Sequence, residues 1–139
     1  KRLGHQGGEG RAYGNIGNAY LSLKEYHQAL EYHHKDLEFA KRLGDQGGEG
    51  RAYGNIGIAH YYLREYHQAF DYYHKRLEIA EKLGDQVGLG RTYYNIGNAY
   101  ESLGEYQKAK GYYEQAVNIG LVCRKGHFFI IPRSTQPPK

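Results

Sequence analysis

The chain has 139 residues, a formal charge of +4, an isoelectric point near 9.0, 16 tyrosines and 20 glycines, with no tryptophan or methionine. That length fits one domain, and so small a basic excess is that of a solvated surface rather than of a nucleic-acid-binding protein. The single cysteine, Cys123, excludes an internal disulfide and fits a reducing, cytoplasmic setting, and no apolar run approaches the roughly 20 residues that a membrane helix needs.

In chain order, Lys1-Arg2-Leu3-Gly4 matches Lys41-Arg42-Leu43-Gly44 and Glu81-Lys82-Leu83-Gly84. Residues 1–4 are therefore expected to be the end of a truncated preceding repeat, and the chain a fragment of a longer array. A period of 40 residues follows, dividing the chain into repeat 1 (5–43), repeat 2 (44–83) and repeat 3 (84–120). A fixed period of this length signals a repeat architecture.

Each period carries two helical patterns. The first helix is predicted from about Gly8 to Leu23, with Tyr13, Ile16, Gly17 and Tyr20 at the i, i+3, i+4, i+7 spacing of a buried stripe. Lys24-Glu25, Arg64-Glu65 and Gly104-Glu105 are two-residue connections that force antiparallel neighbours, so each repeat is a helical hairpin. The second helix is predicted from about Tyr26 to Arg42; Ala29, Tyr32 or His33, Leu37 and Ala40 are its core positions and its other residues should face solvent. Gly44 and Gly84 stand where a left-handed C-terminal cap belongs, and Asp45 and Asp85 where the next helix needs an N-cap. His5 replaces that aspartate in repeat 1, and Gly7-Gly8 and Gly47-Gly48 should leave their first turns frayed. Recurring Gly17, Gly57 and Gly97 on the buried stripe imply close approach of the partner helix, whereas Gly14 and Gly54 give way to Tyr94 and are not required for packing. Repetition stops at residue 120. The remainder, 121–139, is expected to be an irregular or disordered tail, with Phe128 to Ile131 as a candidate cap for the last helix.

Beside the buried stripe runs a polar one. Arg11, Asn15 and Asn18 fall at i, i+4, i+7, and return as Arg51 and Asn55, with Ile58 interrupting, and as Arg91, Asn95 and Asn98. Arginine offers a bidentate fork for carboxylates, and asparagine pairs with both donor and acceptor of a peptide backbone. A solvated face would vary among Lys, Glu, Gln and Ser, whereas here Arg and Asn recur at fixed positions. These eight residues are the candidate groove. Leu21, Tyr61 and Tyr62, one turn further on, are candidates to grip apolar side chains, and His60, standing where Tyr20 and Tyr100 stand, is expected to disturb the stack.

The wording Glu-Gly-Arg-Ala-Tyr-Gly-Asn-Ile-Gly-Asn-Ala-Tyr, followed by Tyr-x-x-Ala on the second helix, resembles the tetratricopeptide repeat over residues 1–120. It is similar in particular to the extended repeats of the G-protein-signalling modulator (spindle-orientation) adaptors and of large many-repeat proteins, and more distantly to kinesin light chain. The fold this implies is all-α: a right-handed α-solenoid of three helical hairpins with an irregular tail. The function it implies is an adaptor or scaffold whose first helices hold a partner peptide in a concave groove. Acidic peptides suit the arginines, and exposed repeat ends offer a route to self-association.

Other classes fare worse. No phosphate loop, nucleophile elbow or metalloprotease motif is present, so neither an enzyme nor a cofactor is expected. His27 and His34, like His67 and His74, are two turns and about 10 Å apart, too far to share a metal. Tyrosines could stack on RNA bases, but most fall on buried positions. The sensor array of a larger signalling ATPase would carry the same local chemistry and stays open as an alternative.

Overall fold

The computed structural model describes residues 3–124 and 127–130, and the side chains between 10 and 120. Its elements are α1 (Leu3–Ser22), α2 (Tyr26–Leu43), α3 (Gln46–Tyr62), α4 (Tyr66–Leu83), α5 (Gln86–Ser102) and α6 (Tyr106–Ile119), followed by strands β1 (Leu121–Arg124) and β2 (His127–Ile130). They form two compact units, Lys1–Ile79 and Ala80–Lys139, with the boundary inside α4.

The hairpins are shaped by two kinds of punctuation. Within a repeat, the chain reverses through one residue in the left-handed region: Lys24 (φ 62°), Arg64 (φ 63°) and Gly104 (φ 77°). The following amide then returns to the first helix, as Glu25 does to the Tyr20 carbonyl at 2.9 Å. Between repeats, Gly44 (φ 67°) ends α2 by donating its amide to the Ala40 and Lys41 carbonyls. Asp45 then starts α3, its carboxylate accepting from the Gly48 amide at 2.9 Å; Asp85 does the same with Gly88, also at 2.9 Å.

One expectation about helix starts is corrected. Gly48 is buried and held by Asp45 rather than frayed, and a Cβ there would lie 2.5 Å from the Asp45 carboxylate. α1 runs from Leu3 to Ser22 without a break at Gly4. At Gly44-Asp45 and Gly84-Asp85 a capping aspartate enforces the break. In the sequence of repeat 1 that position is His5, which is not among the residue types preferred as N-caps.

In the first unit, α1 packs on α2 and α2 on α3. The stripe glycines each receive an aromatic ring from the second helix. A Cβ at Gly17 would lie 2.7 Å from His33 Cε1, and one at Gly57 would lie 2.6 Å from Tyr73 Cε1. The close approach is thus between backbone and ring, which is why only glycine fits. Ala52, Ile56 and Ala59 are fully buried on α3, and Leu37 of α2 packs with Ala52, Tyr53 and Ile56. Their counterparts on α1, Ala12, Ile16 and Ala19, are exposed, Ile16 at 39%. The buried face is therefore wider than the predicted stripe, because a middle helix has neighbours on two sides.

In the second unit α5 packs on α6, and Gly97 receives Tyr113 as Gly57 receives Tyr73. Thr92 replaces the alanine of the earlier repeats and stays buried by donating its hydroxyl to the Gly88 carbonyl at 2.7 Å. α6 is short, and Val117 is 67% exposed.

The tail departs from an irregular segment. β1 and β2 pair antiparallel, with Leu121 opposite Ile130 and Arg124 opposite His127. β1 lies close to α5 and α6 and β2 close to α5, whereas Phe128 to Ile131 were expected to fold back over the last helix, α6. Two apolar runs separated by two residues, one of them Gly126, make a hairpin ladder available. Residues 131–139, including the end of that expected cap and the expected disordered segment, lie outside the described residues.

Candidate functional site

The polar stripes of α1 and α3 border one cleft in the first unit, about 330 Å³ in volume. Arg11, Asn15 and Asn18 line it from α1 and Arg51 and Asn55 from α3; Gly10 and Gly14 open its floor. Five of the eight predicted residues thus share one concavity. Arg11, Asn15, Asn18 and Arg51 are exposed, and Asn55 is half-buried. Helical periodicity explains the grouping: i, i+4, i+7 positions form one narrow face, and antiparallel α2 brings the equivalent faces of α1 and α3 to the same side.

The floor of this cleft holds a residue that the sequence reading assigned to solvent. Asp36 of α2 reaches between the bordering helices through the space left by two glycines. A Cβ at Gly14 would lie 3.0 Å from its Oδ2 and one at Gly10 3.7 Å from its Oδ1. Burial pushes the Asp36 carboxyl above the usual carboxylate range, the Arg51 guanidinium pulls it back, and Asp45 adds to the rise. Asp45 also lines the cleft. The site therefore balances two arginines against two carboxylates, where the sequence suggested a ladder of arginine and asparagine alone.

The position of Asp36 is Arg76 in repeat 2 and Ala116 in repeat 3, while the facing glycine is Gly14, Gly54 and then Tyr94. Arg76 takes the same seat: a Cβ at Gly50 would lie 2.9 Å from its Nη1 and one at Gly54 3.9 Å from its Cδ. This joint variation at one register was the signal available in the sequence for both the floor residue and the glycine at Gly14.

The remaining predicted residues are on α5, in the second unit. Arg91 is exposed and Asn95 half-buried. Asn98 is engaged within its own repeat, its Oδ1 accepting from the Tyr113 hydroxyl at 2.6 Å. A second cleft of about 380 Å³ lies on α5 and α6 between Glu101, Lys110 and Val117, and contains none of the eight.

Tyr61 and Tyr62 do not line the first cleft. They join a ring cluster at the hairpin ends, Tyr62 stacking on Tyr26 at 5.3 Å and Tyr61 meeting Tyr66 edge-on at 5.8 Å. His60 keeps the stack rather than disturbing it. It lies on Tyr72 at 5.5 Å and 8°, as Tyr20 lies on Tyr32 and Tyr100 on Tyr112, each at 5.5 Å. Its Nδ1 is 2.9 Å from Glu65 Oε1. Lys35 over Tyr32 at 4.7 Å and Lys75 over Tyr72 at 5.1 Å complete these groups. These tyrosines are thus engaged with one another, with His60 and with lysines.

One histidine is unusual. His33 is fully buried, and neither ring nitrogen has a hydrogen-bond partner among the described residues. Burial, with a smaller contribution from His34, lowers its pKa from 6.5 to about 4. His34 is lowered as well, first by burial, then by His60 and Lys41. Among the described residues no three His, Cys, Asp or Glu side chains gather into a metal-binding group. No helix there is long and apolar enough to cross a membrane.

Comparison with solved structures gives the same helical arrangement. The tetratricopeptide repeat domain of FLU from Arabidopsis is 24% identical with a TM-score of 0.76, covering 81% of this chain and 95% of that one. BtubC from P. vanneervenii is also 24% identical, with a TM-score of 0.72 over 79% of this chain and 46% of its own. Aspartyl phosphate phosphatase F from Bacillus subtilis is 22% identical, with a TM-score of 0.73 over 80% of this chain and 29% of its own. The chain thus spans less than half of the latter two. No curated protein sequence matches it. The tetratricopeptide repeat family model matches residues 8–82 and 49–120, which together run from residue 8 to the end of α6. This chain belongs to the tetratricopeptide repeat family, an all-α fold of helical repeats that serves in protein–protein interaction.

Proposed function

We propose that this chain binds a peptide segment of a partner protein along the polar face of its first helices, as an adaptor or scaffold in the cytoplasm. The observation that carries this reading is the convergence of Arg11, Asn15, Asn18, Arg51 and Asn55 on one cleft. Asn15 and Asn55 can each pair with a peptide group, fixing main chain without regard to side chain. Arg11 and Arg51 on the rim suit carboxylates of the same segment. Arg91, Asn95 and Asn98 extend this chemistry in repeat 3, with Asn98 already sharing its oxygen with Tyr113. The lone cysteine fits a reducing compartment. A sensor array within a larger signalling ATPase would use the same cleft in the same way.

The test uses decapeptides selected by phage display against the chain. Replacing Arg51 and Asn55 together by alanine should weaken the selected peptide about tenfold or more, since each hydrogen bond to a charged group is worth about 1.5 kcal/mol and about 1.4 kcal/mol is a factor of ten. Thermal unfolding should be unchanged, because Arg51 is exposed and Asn55 only half-buried. Unchanged affinity in a folded double variant would refute the groove reading.

A further inference from the structure

We infer that Asp36 on the cleft floor selects the partner, which must place a lysine or arginine side chain there while its backbone lies along Asn15 and Asn55. This inference rests on the groove reading and adds the charge chemistry of the segment that fills it.

The argument begins with where the carboxylate sits. Asp36 comes from α2, and it reaches the cleft only because Gly10 and Gly14 leave no side chains in its way. Among the described residues it makes no hydrogen bond or ion pair, and Arg51 and Asp45 are charges that act on it. A half-buried carboxylate with no donor among the described residues is less favourable than a fully solvated one, and a cation delivered from the open side of the cleft relieves that. An acidic side chain in the same place would add repulsion to desolvation.

The folding requirement for Asp36 is also weak. The same register holds Arg76 in repeat 2, seated over Gly50 and Gly54, and Ala116 in repeat 3. The glycine-floored slot accepts either sign of charge, so the carboxylate is not needed to pack α1 on α2. With arginines on the rim and a carboxylate below, the cleft complements a segment of mixed charge, not a run of acidic residues. A long basic side chain also has the reach required: its methylenes can pass the rim while its head meets Asp36.

The experiment selects phage-displayed decapeptides against the wild-type chain and against Asp36→Asn, which keeps shape and removes charge. Wild type should enrich lysine or arginine at one fixed position, and Asp36→Asn should lose that enrichment alone. For the selected peptide, changing the basic residue to alanine, or Asp36 to asparagine, should each cost about tenfold in affinity, and the two changes together little more than either. A wild-type consensus with no basic position overturns the inference. So does affinity within about twofold in Asp36→Asn. If Arg51→Ala and Asn55→Ala still weaken binding in either case, the groove reading survives it. Peptides whose affinity ignores Arg51 and Asn55 as well remove both.

Discussion

Acid should destabilise this protein through His33, and one substitution should remove that sensitivity. Its ring fills the slot over Gly17 with both nitrogens unpaired. The native state holds the imidazole neutral, with the pKa lowered from 6.5 to about 4. Below the unfolded value the unfolded chain takes up a proton that the native protein refuses, so stability falls as pH falls from 6.5 and levels off below about 4. Inside that window the slope approaches about 1.4 kcal/mol per pH unit, and integration from about pH 7 to about pH 5 gives a loss of about 2 kcal/mol. Tyr73 and Tyr113 occupy the same slot over Gly57 and Gly97, so His33→Tyr fits in shape. The new hydroxyl would face Asn18 as Tyr113 faces Asn98. The variant should be more stable at neutral pH by about 1 kcal/mol or more, because unsatisfied buried nitrogens are gone. It should also lose about 2 kcal/mol less than wild type between the two pH values. Urea unfolding at both pH values measures this directly. His34 titrates with the same sign in both proteins and cancels in the comparison. Parallel pH dependence in wild type and variant would refute the reasoning.

Two further substitutions test the architecture. Gly57→Leu should unfold repeat 2, since even a Cβ meets Tyr73 at 2.6 Å and the Ala69 carbonyl at 3.4 Å; loss of about 3 kcal/mol or more is expected by denaturant titration. Arg64→Gly should stabilise by about 0.5–1 kcal/mol, because glycine relieves left-handed strain of about 1–2 kcal/mol while adding less than that in unfolded-state entropy. An unchanged or lower melting temperature would show that the turn at Arg64 (φ 63°) is not strained.

The hairpins were legible because their signals are local. Tyr26–Leu43 emerges within a residue of its predicted end, since Gly44 and Asp45 punctuate it. The polar stripe was equally legible, because a helical face is set by spacing alone. Asp36 was not. A lone aspartate among charged neighbours on a second helix looks solvated, and only the packing of α1 over α2 turns it into the cleft. His33 stayed ambiguous with Tyr32, as adjacent positions on a helix differ by only about 100° and both are aromatic. The ribbon at 121–130 was missed because the Pro, Ser and Thr after it drew the whole tail into one class.

The cluster of Leu37 with Ala52, Tyr53 and Ile56 joins residues of two successive repeats. In a repeat array each unit contributes its own stability plus a coupling energy to its neighbour. With Leu37 at 7% and Ile56 at 0% exposure, each such side chain is worth about 1.5–3 kcal/mol when buried, so their packing couples the two repeats by a few kcal/mol at most. Repeat 1 should therefore melt together with repeat 2. A peptide that touches α1 and α3 at once would raise the same coupling energy, so occupancy of the cleft would be felt as cooperativity of unfolding.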